Sequence, residues 1–274
     1  MYPVLVHFGS LLIPSYGVLA ALGVLAALAL AHFTAGLVRL DPRHGWNALV
    51  LGIFAAMAAS RALLIAFNLG NLRAHPRWLL ALALIHHPLI SGFGAAAGLA
   101  AILAYARWAG LPLLPLADAL LPPIALGLVF EQIGCLLAGS DYGIDASTSL
   151  WGAVTYTSPL AARWSGTPLG TPLVPVQLYA AAGAALAAGV SYLALRRTAK
   201  KSSPVDSAPA SFGQAAAVGL LLLGLALFLT ECLRDWEGRG VLRFRDAAVL
   251  DTPQIAALLL LAAGLTLLWR PRHA

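Results

Sequence analysis

The sequence predicts an all-α fold: a polytopic membrane bundle of about seven transmembrane helices, organised as a single integral-membrane domain over residues 1–274. Three observations carry that expectation. Hydrophobic residues fill 60% of the 274 positions and charged residues only 10%, whereas soluble domains run at about 25% charged. The apolar residues gather into seven runs, each near the length that crosses a hydrocarbon layer of ~30 Å. The basic residues sit in short segments between those runs. A net charge of +6 distributed in this way reflects membrane topology and not a nucleic-acid-binding face.

Taken in order, the expected spans are 11–38, 46–69, 89–108, 113–138, 176–195, 213–233 and 252–269. Turn chemistry separates them: Asp41-Pro42 after the first, the stretch from Asn71 to Pro88 after the second, and Gly110-Leu111-Pro112 after the third. The run from Arg196 to Lys201, followed by Ser-Ser-Pro, reads as a hydrophilic linker between the fifth and sixth. Together with Arg270 and Arg272 it places the C-terminus in the cytoplasm and, with seven spans, the N-terminus outside. Arg39 and Arg43 agree. Arg234, Arg239, Arg243 and Arg245 fall on the outer side, but they alternate with Asp235, Glu237 and Asp246 and read as a paired loop. No basic n-region or small-residue cleavage site precedes the first span, so no cleaved leader is expected. Cys135 and Cys232 lie in apolar runs and do not suggest a disulfide framework. With His86 and His87 they show no ligand spacing that suggests a metal, and none is expected.

Polar groups inside the apolar runs are few. The stretch from Pro122 to Gly143 begins as an ordinary membrane run, then places Glu131 and Gln132 within it. Small residues follow, and a polar turn, Ser140-Asp141-Tyr142-Gly143, closes it. A carboxylate in hydrocarbon is costly unless it is paired or faces a polar cavity, so chemistry is expected here. A purely structural tie between two helices is the competing reading. Arg61 sits mid-way along the second span, where it must meet protein, water or a lipid phosphate. Asp118 reads as a cap for the fourth span. Trp151, Tyr156 and Trp164 read as interfacial anchors or as a collar over an outward-facing site. Tyr16, Glu131, Asp141, Gln177, Tyr179, Glu231 and Arg234 all fall in the outer half. A channel or transporter would carry polar groups through the full depth, usually with an internal repeat. An enzyme or binder of lipid head groups fits this one-sided placement better.

These residues resemble the prolipoprotein diacylglyceryl transferase family. PVLVHFGSLLIPSYGVLAALG is similar to the family's opening, AASRALLIAFNL to its Gly-Arg element, and DALLPPIALGLVFEQIGCLLAGSDYG to its signature. PVQLYAA resembles the Gln-Leu-Tyr motif and FLTECLR the Phe-x-x-Glu-x-x-Arg end of the sixth span. The five matches keep their order over most of the chain. The resemblance implies a seven-helix enzyme of the bacterial inner membrane without a cofactor. Its substrates would be phosphatidylglycerol and the signal peptide region of a prolipoprotein, whose lipobox cysteine thiol receives the diacylglyceryl group as glycerol phosphate leaves. It also implies catalytic roles for Glu131, Gln132, Tyr16 and Glu231, and substrate-binding roles for Arg61, Arg234, Gln177, Tyr179, Asp141, Gly134 and Gly143.

The chain departs from the family pattern at several of these places. Gln132 stands where the signature has arginine, Cys135 where it has asparagine, and Ser140 where an acidic residue is usual. Phe93 and Leu227 occupy positions of a histidine or tyrosine and of an arginine. Val174 and Ala180 flank the Gln-Leu-Tyr motif. His86 or His87, just before the third span, reads either as a substitute base or as an interfacial or loop residue. Two functions therefore stay open: a divergent transferase, or a catalytically altered or inactive homologue that acts as a lipid- or lipoprotein-binding accessory membrane protein.

Overall fold

The computed structural model describes residues 2–8, 11–70, 88–146, 152–201, 212–235, 241–244 and 247–270. The chain opens with a hairpin, β1 (Val4–Phe8) against β2 (Leu11–Pro14), which runs directly into α1 (Ser15–Leu37). The first span thus starts four residues later than its hydropathy predicts. Pro14 serves as the N-cap, and the β-rich sequence before it pairs as strands. Ser15 fastens the hairpin to the helix: its amide donates to Pro3 O at 3.0 Å and its hydroxyl to Tyr2 O.

Next come α2 (Pro42–Phe67), α3 (Pro88–Trp108) and α4 (Leu113–Ala138). The Asp41-Pro42 turn behaves as expected, with the Asp41 carboxylate accepting from the Arg43 amide and proline in the first turn of α2. The segment after α4 contains β3 (Val154–Thr155), α5 (Pro159–Ser165) and β4 (Pro172–Leu173). It leads to α6 (Val176–Lys201), α7 (Gln214–Glu231), the hairpin β5 (Val241–Phe244) and β6 (Ala247–Asp251), and α8 (Thr252–Leu268). Six of these helices are long and apolar enough to cross a membrane, and α8 is an apolar helix of 17 residues. The all-α polytopic expectation holds.

Neighbouring helices pack in the order α3, α2, α1, α4, α6, α7, α8, and α8 returns to touch α3. Small residues allow the close approaches. A Cβ on Gly98 of α3 would lie 2.7 Å from Gly52 O of α2, so these two backbones are in direct contact. Helix α4 is central, with half of its most apolar stretch buried, a larger share than in any other span.

Two sequence readings are corrected here. The basic run Arg196–Lys201 is not a linker but the last turns of α6. Arginine, alanine and lysine are strong helix formers, and the Arg196 guanidinium lies over the Tyr192 ring at 5.9 Å. Asp118 does not cap α4, which starts at Leu113 with Pro112 as its N-cap. It is fully buried inside α4 and caps α7 from the side, accepting from the amides of Gly213 and Ala216 at 2.7 Å each. Gly213 is the N-cap of α7 and has no side chain to do this itself.

The proline pair Pro122-Pro123 lies within α4. Pro123 has no N–H for the Ala119 carbonyl four residues back. Thr34 of α1 supplies the donor, its hydroxyl reaching Ala119 O at 2.7 Å in a buried setting. A Thr34→Val variant should lose about 1–3 kcal/mol of stability through that orphaned carbonyl, and Thr34→Ser much less. Thermal unfolding in detergent compares the two.

Candidate active site

Because successive spans alternate in direction, the start of α1, the end of α2, the end of α4, the start of α6 and the end of α7 share one end of the bundle. Glu131 lies seven residues before the end of α4, and Arg61 six before the end of α2. At 1.5 Å per residue both sit roughly 10 Å below that end. Arg61 therefore belongs to the same layer as the carboxylates and is not mid-span.

The first half of the site forms around Tyr16 in the opening turn of α1. Glu131, Cys135, Asp141 and Arg61 all lie within electrostatic range of its phenol. Gly134 makes this possible: a Cβ there would stand 3.3 Å from Tyr16 Cδ2 and 3.4 Å from Leu19 Cβ. Gln132 turns its amide onto its neighbour, Nε2 donating to Glu131 Oε2 at 3.0 Å, while its Oε1 is buried with no hydrogen-bond partner among the described residues. The buried Cys135 thiol lies 3.5 Å from Asp141 Oδ2.

Asp141 links this half to the second. Arg234 Nη1 sits 4.0 Å from Asp141 Oδ1 and 2.8 Å from Glu231 Oε1, whose side chain is completely buried. A backbone zip holds these groups in register. The Ile144 amide donates to Leu233 O, Val174 N to Ile144 O and Ala146 N to Pro172 O, and Asp235 N donates to Tyr142 O. Gly143 is pressed between the outer two strands of this zip, facing Val174 O on one side and Leu233 O on the other.

Behind Asp141, three side chains meet the turn that ends α4. Tyr156 donates to Leu136 O at 3.1 Å, Thr167 to Gly139 O at 2.7 Å, and Gln177 Nε2 to Ser140 O at 2.7 Å. All three are buried. Tyr156 is thus not an interfacial anchor: its ring packs inward because its hydroxyl finds a carbonyl there. Trp164 is half-buried, and Trp151 lies outside the described residues. Gln177 Nε2 faces backbone and lies 3.5 Å from the Tyr156 hydroxyl. Tyr179, two residues further along α6, points to another face and is 40% exposed. Phe93 is exposed, and His86 and His87 lie outside the described residues.

Burial pushes the Tyr156 phenol up to about 12, against a smaller opposing effect from Gln177. A phenol raised in the folded state contributes stability below its unfolded value near 10, and that contribution is lost as pH climbs towards 12. The gap in Tm between the wild-type chain and Tyr156→Phe should stay constant up to about pH 10 and narrow above it. A gap that already closes between pH 7 and 9 would contradict this.

Fold and site together define a polytopic membrane protein with a cluster of ionisable groups in one layer, near one end of the bundle. The chain belongs to the prolipoprotein diacylglyceryl transferase family, whose model matches residues 3–270. It is 28% identical over 269 residues to the phosphatidylglycerol–prolipoprotein diacylglyceryl transferase of Clostridium tetani, covering 97% of this chain and 96% of that protein. It is similar to a second such transferase from Clostridium perfringens, 26% identical over 92% of this chain and 89% of that one. A homologue of the same name from Synechococcus elongatus is 31% identical over 142 residues, 52% of this chain and 48% of its own length.

Proposed function

We propose that this chain is a diacylglyceryl transferase that takes its donor from phosphatidylglycerol and places the diacylglyceryl group on the cysteine thiol of a prolipoprotein signal peptide. The observation that carries this reading is the layer formed by Tyr16, Arg61, Glu131 and Asp141, continued through Arg234 to Glu231, in a chain of this family. In the transfer, sulfur bonds to the terminal glyceryl carbon while the bond from that carbon to the phosphate oxygen breaks. The leaving glycerol phosphate takes the electron pair, and the thiol proton passes to a base. Arg61 and Arg234 balance the charge that grows on the phosphate, and Glu131 accepts the proton. Gln132, at a position where the family signature has arginine, brings no cation. Its amide fixes the Glu131 carboxylate instead. Arg61 and Arg234 then supply the positive charge of the site.

The chain would lie in the bacterial plasma membrane as one domain, with the site end outward. In support, more of the described basic residues lie at the opposite end of the bundle, with Arg39 and Arg43 around the α1–α2 turn, Arg107 at the end of α3, Arg196 to Lys201 at the end of α6 and Arg270 after α8, against Arg61, Arg163, Arg234 and Arg243 on the site side.

Purified protein in micelles containing phosphatidylglycerol, given a lipobox peptide, should increase the peptide mass by a diacylglyceryl group and release glycerol phosphate. Glu131→Gln and Arg61→Ala should each lower the rate about a hundredfold. Full activity in both variants, correctly folded, would remove these residues from the mechanism. Folded wild-type protein that transfers nothing would favour the accessory lipid-binding reading.

A further inference from the structure

The turn between α4 and the backbone zip is held more firmly than a solvent-facing turn requires. Helix α4 ends at Ala138, and Gly139 follows in the left-handed region at φ +86°. The amides of Gly139 and Ser140 both return to Cys135 O. This leaves the carbonyls of Leu136, Gly139 and Ser140 without donors from the helix. Each receives one buried side-chain donor, and the donors come from three different pieces of chain: Tyr156 after β3, Thr167 after α5, and Gln177 in the first turn of α6. The next residue is Asp141, at φ +53°. Aspartate is one of the few non-glycine residues that enter that region readily, and the turn places it there. Its carboxylate is the one that meets both Cys135 and Arg234.

We infer that Tyr156, Thr167 and Gln177 form a clasp of positioning residues that aims the Asp141 carboxylate between the two halves of the site. The inference rests on the transferase reading for its kinetic consequence. The clasp touches no substrate and acts through the turn. Thr167 carries the sharpest test, because valine matches its shape and removes only the hydroxyl, which serves Gly139 O at 2.7 Å and lies 3.1 Å from Ala161 O within α5. In a preorganised site, a displacement of about 1 Å can cost up to a hundredfold in rate.

The experiment uses the full chain in phosphatidylglycerol micelles with a lipobox peptide. Thr167→Val and Tyr156→Phe should each lower kcat about tenfold, with KM for the lipid changed less than about twofold. Thr167→Ser should return kcat to within about twofold of wild type. Amide hydrogen exchange should quicken at Gly139, Ser140 and Ile144 in Thr167→Val and stay unchanged in α2 and α3. Wild-type kcat in both deletion variants, failure of serine to rescue, or unchanged exchange at the turn would each overturn the clasp. A wild-type chain that transfers nothing would remove the transferase reading, and the exchange comparison would still decide whether the clasp holds the turn.

Discussion

Arg234→Ala is expected to lower transfer about a hundredfold or more and to cost about 3–5 kcal/mol of stability. The two effects have separate causes. The guanidinium lies 2.8 Å from Glu231 Oε1, and the Glu231 side chain is completely buried. Its removal leaves a carboxylate in a low-dielectric setting without that counter-charge, which dominates the stability loss. The activity loss follows from the missing positive charge beside Asp141, where the phosphate of the donor would gather its charge. A double variant separates them. Adding Glu231→Gln to Arg234→Ala should restore much of the thermal stability and none of the transfer. Recovery of both would mean that Arg234 acts only as a partner for Glu231. Arg234→Lys should fall between, since an ammonium keeps the charge but not the planar fork.

The second large effect is expected at Gly143. A methyl group there would lie 2.5 Å from Val174 O, 2.6 Å from Val176 Cγ2 and 2.9 Å from Leu233 O. Two of these atoms are backbone on opposite sides, so neither can yield without parting the zip. Gly143→Ala should therefore lose about 3 kcal/mol or more, the upper range for overpacking, and abolish transfer. Gly189→Ala is the control. It lies within α6 with nothing inside 4 Å of the added carbon, so helix propensity alone should make it neutral or stabilising by up to about 1 kcal/mol. Similar behaviour of the two variants in a thermal melt would refute the close approach at Gly143.

Much of this was legible in the sequence, for reasons of range. Hydropathy is a local property, and seven apolar runs give the seven helices with boundaries good to a few residues. Glu131 and Arg61 stand out because a charge in an apolar run is visible without knowing its partners. Gly134 and Gly143 are marked through the family signature. What escapes is the set of side chains whose meaning lies in a distant carbonyl. Tyr156 and Thr167 sit in a Gly-, Thr- and Pro-rich stretch that resembles any surface loop. Nothing local says that their hydroxyls reach Leu136 and Gly139, 20 and 28 positions away. Asp118 shows the same limit: its polarity marks it as a cap, but the helix it caps lies 95 residues further on. The Arg196–Lys201 run misleads in the opposite sense, because charge alone cannot distinguish a linker from a helix emerging into water.

The helix contacts also impose an order on biogenesis. The Ala119 carbonyl in α4 needs Thr34 of α1, and the first turn of α7 needs Asp118 of α4. An unmet backbone group in hydrocarbon costs several kcal/mol. In each pair the provider is synthesised before the helix that depends on it, so every late arrival enters the bilayer to find its donor or acceptor already waiting. Dependency runs with translation, from α1 to α4 to α7. Fragments cut from the C-terminal side keep each provider with its client, whereas fragments that begin after α1 carry α4 into the lipid with a carbonyl that nothing upstream can serve.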